Sequence, residues 1–370
     1  MSVRKAGSGW SFRIDVGKDP QTGKRRQKYQ SGFRTKKEAE QAQADFMTRI
    51  KTEGYLQSKK ETMEIFMKKW LETVYKHEVK STTFEKAECV VRVHIIPVFG
   101  QRELNSIKPY DIQKFFSEKT KSGLSPASIK KIKNVLSKAF QTAIDWELIL
   151  KNPIEKVKSP SIVKKEKEIW TAEEAKRFLE SCEELRWKVA FSLALHTGMR
   201  RGEILGLKWE NVDFENAVIK VKESLAYTKS EGLFFSTPKT FNSVREVLLP
   251  NSLIKLMKEL KTEQKKMKLR MGPAYHPYDL VVSTVDGKPL HPRNLARTFE
   301  NLTKKAGVKR ISLHGMRHTN ATILMKEGVN PKIVSERLGH ANVGITLDIY
   351  THTDLGMQRE TTSMLEGTFN

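Results

Sequence analysis

Apolar positions change their period along this chain, and the changes divide it. Near the N-terminus Trp10, Phe12, Ile14 and Val16 alternate with Ser11, Arg13 and Asp15. That period of two predicts a half-buried strand. Asp19-Pro20-Gln21-Thr22-Gly23 supplies turn chemistry, and Lys24 to Tyr29 reads as a second, very basic strand. A third short strand is expected over Gly32 to Arg34. Thr35-Lys36-Lys37-Glu38 fits a capping box, with Ala39, Ala42, Phe46 and Ile50 forming a helical stripe behind it. Polar residues 51–61 read as a linker.

From residue 62 the period becomes helical. Phe66, Trp70 and Val74 stripe one helix. A second is expected from about Ser81 to Ile95, stopped by Pro97 and Gly100, and a third over Pro109 to Lys119. Ser125-Pro126 gives an N-cap with proline at N1, ahead of Ile129, Ile132, Leu136, Ala139, Phe140 and Ala143 on one face. Asn152-Pro153 should end that helix. Basic residues 156–168 read as a second linker. Thr171-Ala172-Glu173-Glu174 then opens another capping box. Helices are expected to about His196 and over Arg200 to Leu207. Strands follow at Ala217 to Val221, Phe234 to Thr237 and Val244 to Leu248, and helices fill the remainder. The fold class read this way is mainly α with small β-sheets. It comprises an N-terminal three-stranded sheet plus helix (1–55), a helical domain (62–156), and a mixed, mostly helical domain (169–370).

Charge adds a partner to this picture. The 370 residues carry 67 Lys+Arg against 43 Asp+Glu, a formal net charge of +24. A surplus of that size points to a polyanion, and nucleic acid first. No apolar run approaches the ~20 residues of a membrane-spanning helix, so no membrane role is expected. Residues 1–60 alone hold 15 Lys+Arg against 6 Asp+Glu. A basic sheet of two or three strands is one way to enter a DNA groove, with Arg13, Arg25 and Lys28 as candidate contacts. Lys130, Lys131, Lys133 and Lys138 line the polar side of their helix, and Lys130 and Lys133 are candidates for phosphate. The N-terminus leads into no apolar signal segment. Cys89 and Cys182 form no Cys-x-x-Cys and read as two buried thiols. A cytoplasmic protein is the expectation.

The candidate chemistry is concentrated between His314 and Tyr350. His314-Gly315-Met316-Arg317-His318 precedes Leu338-Gly339-His340, and Tyr350 lies ten residues after His340. Upstream stand Thr197-Gly198-Met199-Arg200-Arg201-Gly202-Glu203 and Thr237-Pro238-Lys239-Thr240, the latter in a turn between two strands. His314 and Arg317, three apart on a helix, should share a face. A phosphodiester under attack gains charge on its non-bridging oxygens, which guanidinium groups meet bidentately. Its leaving alkoxide needs a proton donor, and a phenol needs help to become a nucleophile. Each residue alone has an ordinary use: a surface arginine, one lysine of many, a packing tyrosine. His314 and His318 at i, i+4 resemble a metal pair, but no acid follows His314 as in H-E-x-x-H, so no metal is expected.

In that order these residues resemble the tyrosine recombinases of the phage-integrase family. The resemblance is strong over 169–360 and moderate over 62–155, and the N-terminal module looks like the arm-type DNA-binding domain of mobile-element integrases. It implies catalytic roles for Arg200, Lys239, His314, Arg317, His340 and the nucleophile Tyr350. It also implies a 3′-phosphotyrosine intermediate, no cofactor and no ATP. The implied partners are double-stranded DNA at core and arm sites, a homotetramer on DNA, an excisionase and a host DNA-bending protein, in a bacterial nucleoid. The basic N-terminal module favours an integrase over a chromosome-dimer resolvase. A type IB topoisomerase and a non-enzymatic DNA-binding protein of the same fold are the rivals. The second should have lost Tyr350 or an arginine, and neither is lost.

Overall fold

The computed structural model describes residues 2–18, 25–53, 61–161, 168–237, 244–340 and 342–347, with 362, 365 and 366. Two compact units divide the chain, 1–163 and 164–370.

In the first unit β1 (Ser2–Ala6), β2 (Gly9–Lys18) and β3 (Arg25–Phe33) form an antiparallel sheet in sequence order. Its composition differs from expectation. The expected short strand at Gly32 to Arg34 is the end of β3, and the third strand is β1. Gly32, at φ +99°, takes up the irregularity near the Trp10–Phe33 pair, so β3 pairs on without a break. The strand β1 shows no apolar alternation because it is an edge, with Ser2, Arg4 and Lys5 exposed. Helix α1 (Lys36–Glu53) starts where the capping box stands: Thr35 Oγ1 accepts from Glu38 N, while Glu38 reaches Arg34 N. It runs three residues into the expected linker. Phe12, Ile14 and Ala39 are buried, and Phe12 meets Phe33 and Phe46 at 5.6 and 6.2 Å.

The helical stretch begins with α2 (Met63–Trp70), which passes through a π-helical turn, Leu71–Tyr75, into α3 (Lys76–Glu78). Then α4 (Ser81–Val90) passes through a second π turn, Val91–Ile95, into α5 (Ile96–Phe99). Pro97 therefore does not stop the helix. The wider turn before it has already shifted the hydrogen-bond ladder, so the missing N–H breaks nothing. Gly100 closes the segment. Two longer helices follow, α6 (Pro109–Lys121) and α7 (Pro126–Asp145). Ser125 caps α7 through Ser128 N, and all six positions of the expected stripe are buried. This helix ends at Asp145, seven residues before Asn152. Glu147 turns the chain at φ 56°, and Asn152 is instead a buried brace, donating to Ser137 O and accepting from Ile154 N. Trp70 Nε1 donates to Thr142 Oγ1 and joins α2 to α7. Cys89 is exposed, contrary to expectation, because Ala87 and Val91 carry the buried side there.

The second unit opens with α8 (Ala172–Glu180), α9 (Leu185–Thr197) and α10 (Arg201–Gly206). Thr171 and Glu174 complete the capping box of α8 reciprocally. Strands β4 (Val212–Asp213), β5 (Val218–Val221) and β8 (Arg245–Leu248) form one antiparallel sheet, and β6 (Ser224–Thr228) with β7 (Gly232–Ser236) forms a hairpin. Then come α11 (Asn251–Met271), α12 (Pro292–Lys305), α13 (Leu313–Lys326), α14 (Pro331–Leu338) and α15 (Val343–Leu347). Strands β5, β7 and β8 match the expected three, whereas β4 and β6 were not foreseen. Trp170, Phe178, Phe191 and Phe299 are all buried and pack tilted or edge-on within 5.7 Å of their neighbours, fixing α8, α9 and α12. Asn320 Nδ2 donates to Leu195 O and ties α13 to α9. No helix among the described residues is long and apolar enough to cross a membrane.

Candidate active site

The site is assembled where three helix ends meet. Helix α9 ends on Gly198, at φ +64°, and this left-handed turn exposes the Gly198 carbonyl. Helix α14 ends likewise on Gly339, at φ +66°, exposing the carbonyls of Leu338 and Gly339. Arg317, on α13, is 2% exposed. Its Nη1 donates to Gly198 O at 2.7 Å and its Nη2 to Leu338 O at 2.6 Å. Arg200 is the N-cap residue of α10. Its backbone N–H and Nη1 both donate to the Glu203 carboxylate, at 2.8 and 2.7 Å, and its Nη2 donates to Gly339 O at 2.9 Å. The two guanidinium groups thus hang from one short backbone stretch.

Burial holds the Arg317 guanidinium down to about 9, with Arg200 and Arg245 acting in the same direction and Glu203 against them. It remains a cation at neutral pH. His340 follows Gly339 directly, and its backbone N–H bonds Ser335 O at 3.0 Å. Its Nδ1 lies 2.8 Å from Oγ1 of the buried Thr346 on α15. Burial, then Arg317 and Arg200, push the His340 imidazole down to about 4, so it is neutral near pH 7. His314, exposed at the start of α13, sets its ring edge-on against His318, 4.8 Å between centroids. His314 and His318 also add to the positive field at His340.

The structure therefore brings Arg200, Arg317, His340 and His314 into one neighbourhood. Lys239 and Tyr350 lie outside the described residues. Four participants carried no assigned role in the sequence: Gly198 and Gly339 as carbonyl acceptors, Thr346 as the partner of His340, and Arg245. The left-handed helix ends were visible as isolated glycines after helical stripes. The buried Arg245 gave no local signal.

Among the candidate nucleic-acid contacts, Arg13 is exposed and stacks over Tyr29 across the β2–β3 pair. Arg25 is exposed and forms an ion pair with Asp15. Lys28 is exposed and sits opposite Ile14 in the register, on the face that carries α1. Lys130 is exposed. Lys133 is half-buried and its Nζ donates to Val157 O at 2.6 Å.

Residues 168–356 match the phage integrase family, residues 2–50 an arm DNA-binding domain, and residues 62–120 a phage integrase N-terminal SAM-like domain. A tyrosine recombinase XerC-like protein of Caldanaerobacter subterraneus subsp. tengcongensis is 33% identical over 338 residues, covering 86% of each chain. The ICEBs1 integrase of Bacillus subtilis is 28% identical over 99% of each chain. In fold, the chain is similar to the Tn1549 transposon integrase solved with transposon right end DNA. The TM-score is 0.71 and identity 24%, with 83% of this chain and all of that one covered. The lambda integrase dimer bound to a core site superposes with a TM-score of 0.59 at 17% identity, covering 94% and 93%. The family match spans more than half of the sequence, and on that ground the chain belongs to the phage integrase family and is a tyrosine-type site-specific recombinase, an integrase of the kind that mobile elements carry.

Proposed function

We propose that Arg200 and Arg317 clamp the scissile phosphate of a DNA strand while Tyr350 attacks it. The phenol oxygen bonds to phosphorus as the bond from phosphorus to the 5′ oxygen breaks. Lys239 protonates that leaving oxygen, and His314 takes the phenol proton. The products are a 3′-phosphotyrosine and a free 5′-hydroxyl. A 5′-hydroxyl from the partner strand then reverses the steps and expels tyrosine. The phosphotyrosine keeps the energy of the phosphodiester, so rejoining draws on no ATP, and side-chain cations meet the developing charge.

One observation carries this reading: two guanidinium groups converge on the adjacent carbonyls of Leu338 and Gly339, and a neutral imidazole follows at the next residue, His340. Each guanidinium has five N–H donors, and among the described residues the bonds to Gly198 and Leu338 use two of the five on Arg317. With Nδ1 accepting from Thr346, the neutral His340 ring keeps its Nε2–H for a phosphate oxygen.

The substrates in this reading are two double-stranded attachment sites, bridged by three working parts. Residues 1–55 bind arm sequences through Arg13, Arg25 and Lys28. Residues 62–156, with Lys130 and Lys133, and residues 169–370 bind the core. Four copies act together, aided by an excisionase and a host DNA-bending protein in the nucleoid. A lambda integrase tetramer bound to a Holliday junction, of similar fold, supports the assembly. The test is Tyr350→Phe on a nicked suicide DNA substrate. The covalent protein–DNA adduct should vanish while the gel-shifted complex persists. An adduct that survives the substitution removes Tyr350 from the nucleophile's role.

A further inference from the structure

We propose that Arg245 is a positioning residue for the cleavage reaction: it holds Glu203 so that Arg200 reaches the phosphate with its positive charge uncompensated. The proposal rests on Arg200 being a phosphate clamp. Arg245 opens β8, and its side chain is 6% exposed. Its Nη2 donates to Glu203 Oε2 at 2.9 Å and its Nε to Arg337 O at 2.7 Å. Glu203 is in turn the carboxylate that Arg200 grips through two N–H groups. Arg200 then closes the circuit on Gly339 O. A Cβ on Gly339 would stand 3.1 Å from both Cδ and Nη1 of Arg245, so the arginine lies directly beneath that turn. One buried side chain thereby joins the start of β8, the first arginine box and the turn before His340.

The charge count gives the arrangement a purpose. Arg200 paired with Glu203 alone is a neutral couple with little to offer an anion. Arg245 adds a second cation at Glu203 Oε2, while the Arg200 guanidinium holds Oε1. The trio then carries one net positive charge, and the exposed member is Arg200, 38% accessible against 7% for Glu203. Burial raises the Glu203 carboxyl, but Arg245 and Arg200 outweigh it and hold the group below the usual carboxylate range. Glu203 therefore stays charged and cannot release Arg200 by taking a proton.

The experiment compares Arg245→Met, Arg245→Lys and wild type on two suicide substrates, one ordinary and one with a neutral methylphosphonate at the scissile position. Circular dichroism and gel shift report folding and DNA affinity. Expected is a fall in adduct formation of at least about 100-fold for Arg245→Met on the phosphodiester, with DNA affinity retained. The deficit should shrink at least tenfold on the methylphosphonate, which asks less of a cation. Arg245→Lys keeps the charge but cannot reach both Glu203 Oε2 and Arg337 O, and should lie between. A folded Arg245→Met that cleaves within threefold of wild type overturns the proposal. So does a deficit of equal size on both substrates, the mark of a merely structural loss. If Arg245→Met does not fold, the same comparison is made with Arg245→Lys, and equal deficits again overturn it. Failure of the wild-type protein to form any adduct would instead strike at the clamp itself.

Discussion

Gly198→Ala tests how the helix ends build the site. Gly198 sits at φ +64°, where a side chain costs about 1–2 kcal/mol. A Cβ there would also lie 2.2 Å from Leu338 Cδ2 and 3.1 Å from Asn320 Oδ1. Carbon atoms pack at about 3.5–4.0 Å, so Leu338 must retreat by more than an ångström. Leu338 is fully buried and has no solvent to turn into. Overpacking of this kind costs about 1–3 kcal/mol, giving a total of roughly 2–5 kcal/mol. The functional effect should exceed the folding effect, because the carbonyls of Gly198 and Leu338 are the two that hold Arg317. Pushing them apart moves the guanidinium. Urea unfolding gives the stability, and adduct formation on the suicide substrate gives the activity. A double-mutant cycle with Leu338→Ala isolates the contact, since trimming Leu338 vents the clash, and the coupling should exceed about 1 kcal/mol. A Gly198→Ala protein within about 0.5 kcal/mol of wild type, or strictly additive with Leu338→Ala, would refute the close approach.

Two further outcomes are expected. The folded pKa of His340, about 4, is below its ordinary 6.5, so the unfolded chain binds the extra proton between these values; stability present above pH 6.5 should drain as pH falls toward 4, by no more than about 2 kcal/mol after allowing for partial exposure. In His340→Gln that part of the slope should be missing from the pH dependence of unfolding, and an unchanged slope would mean another group is responsible. Arg13→Glu should weaken binding to arm-type DNA and lower the salt dependence by about one unit while sparing core DNA, and Lys130→Glu should do the reverse; a gel-shift series in which either variant weakens both sites equally would undo the division of labour.

Local chemistry was readable and distant chemistry was not. The Thr171 capping box, the Ser125 cap and the Ile129 to Ala143 stripe depend on residues a few positions apart, and each stands as the sequence implied. The strand β1 was missed because an edge strand need not alternate. The course through Pro97 was misread because π-helical turns leave no signature in periodicity. In the site, the order of Arg200, Lys239, His314, Arg317, His340 and Tyr350 pointed to the family without showing what holds each residue. Arg245 and Glu203 are 42 positions apart, and Arg200 and Gly339 are 139 apart. Spacing along the chain carries no information about such pairs. A buried arginine in a strand looks like any surface cation until its partners are known.

The contrast between Arg317 and Arg245 explains why the site uses carbonyls where a carboxylate would bind more strongly. A carboxylate fixes a guanidinium and cancels its charge, as Glu203 does for the buried Arg245. A carbonyl fixes it through a dipole and leaves the full charge in place. Arg317 is held by two carbonyls at 2.7 and 2.6 Å and is nearly inaccessible, so its position is set before any substrate arrives. Keeping an unneutralised cation buried costs stability, and the lowered Arg317 value registers that cost. In the proposed mechanism an incoming phosphate relieves it, and the more so as negative charge grows on the non-bridging oxygens during attack. Strain of this sign favours the transition state over the empty protein. It also sets the division of roles: Arg317 is fixed by backbone and kept charged, while Arg200, tied to Glu203, needs a second cation behind it to present any charge at all.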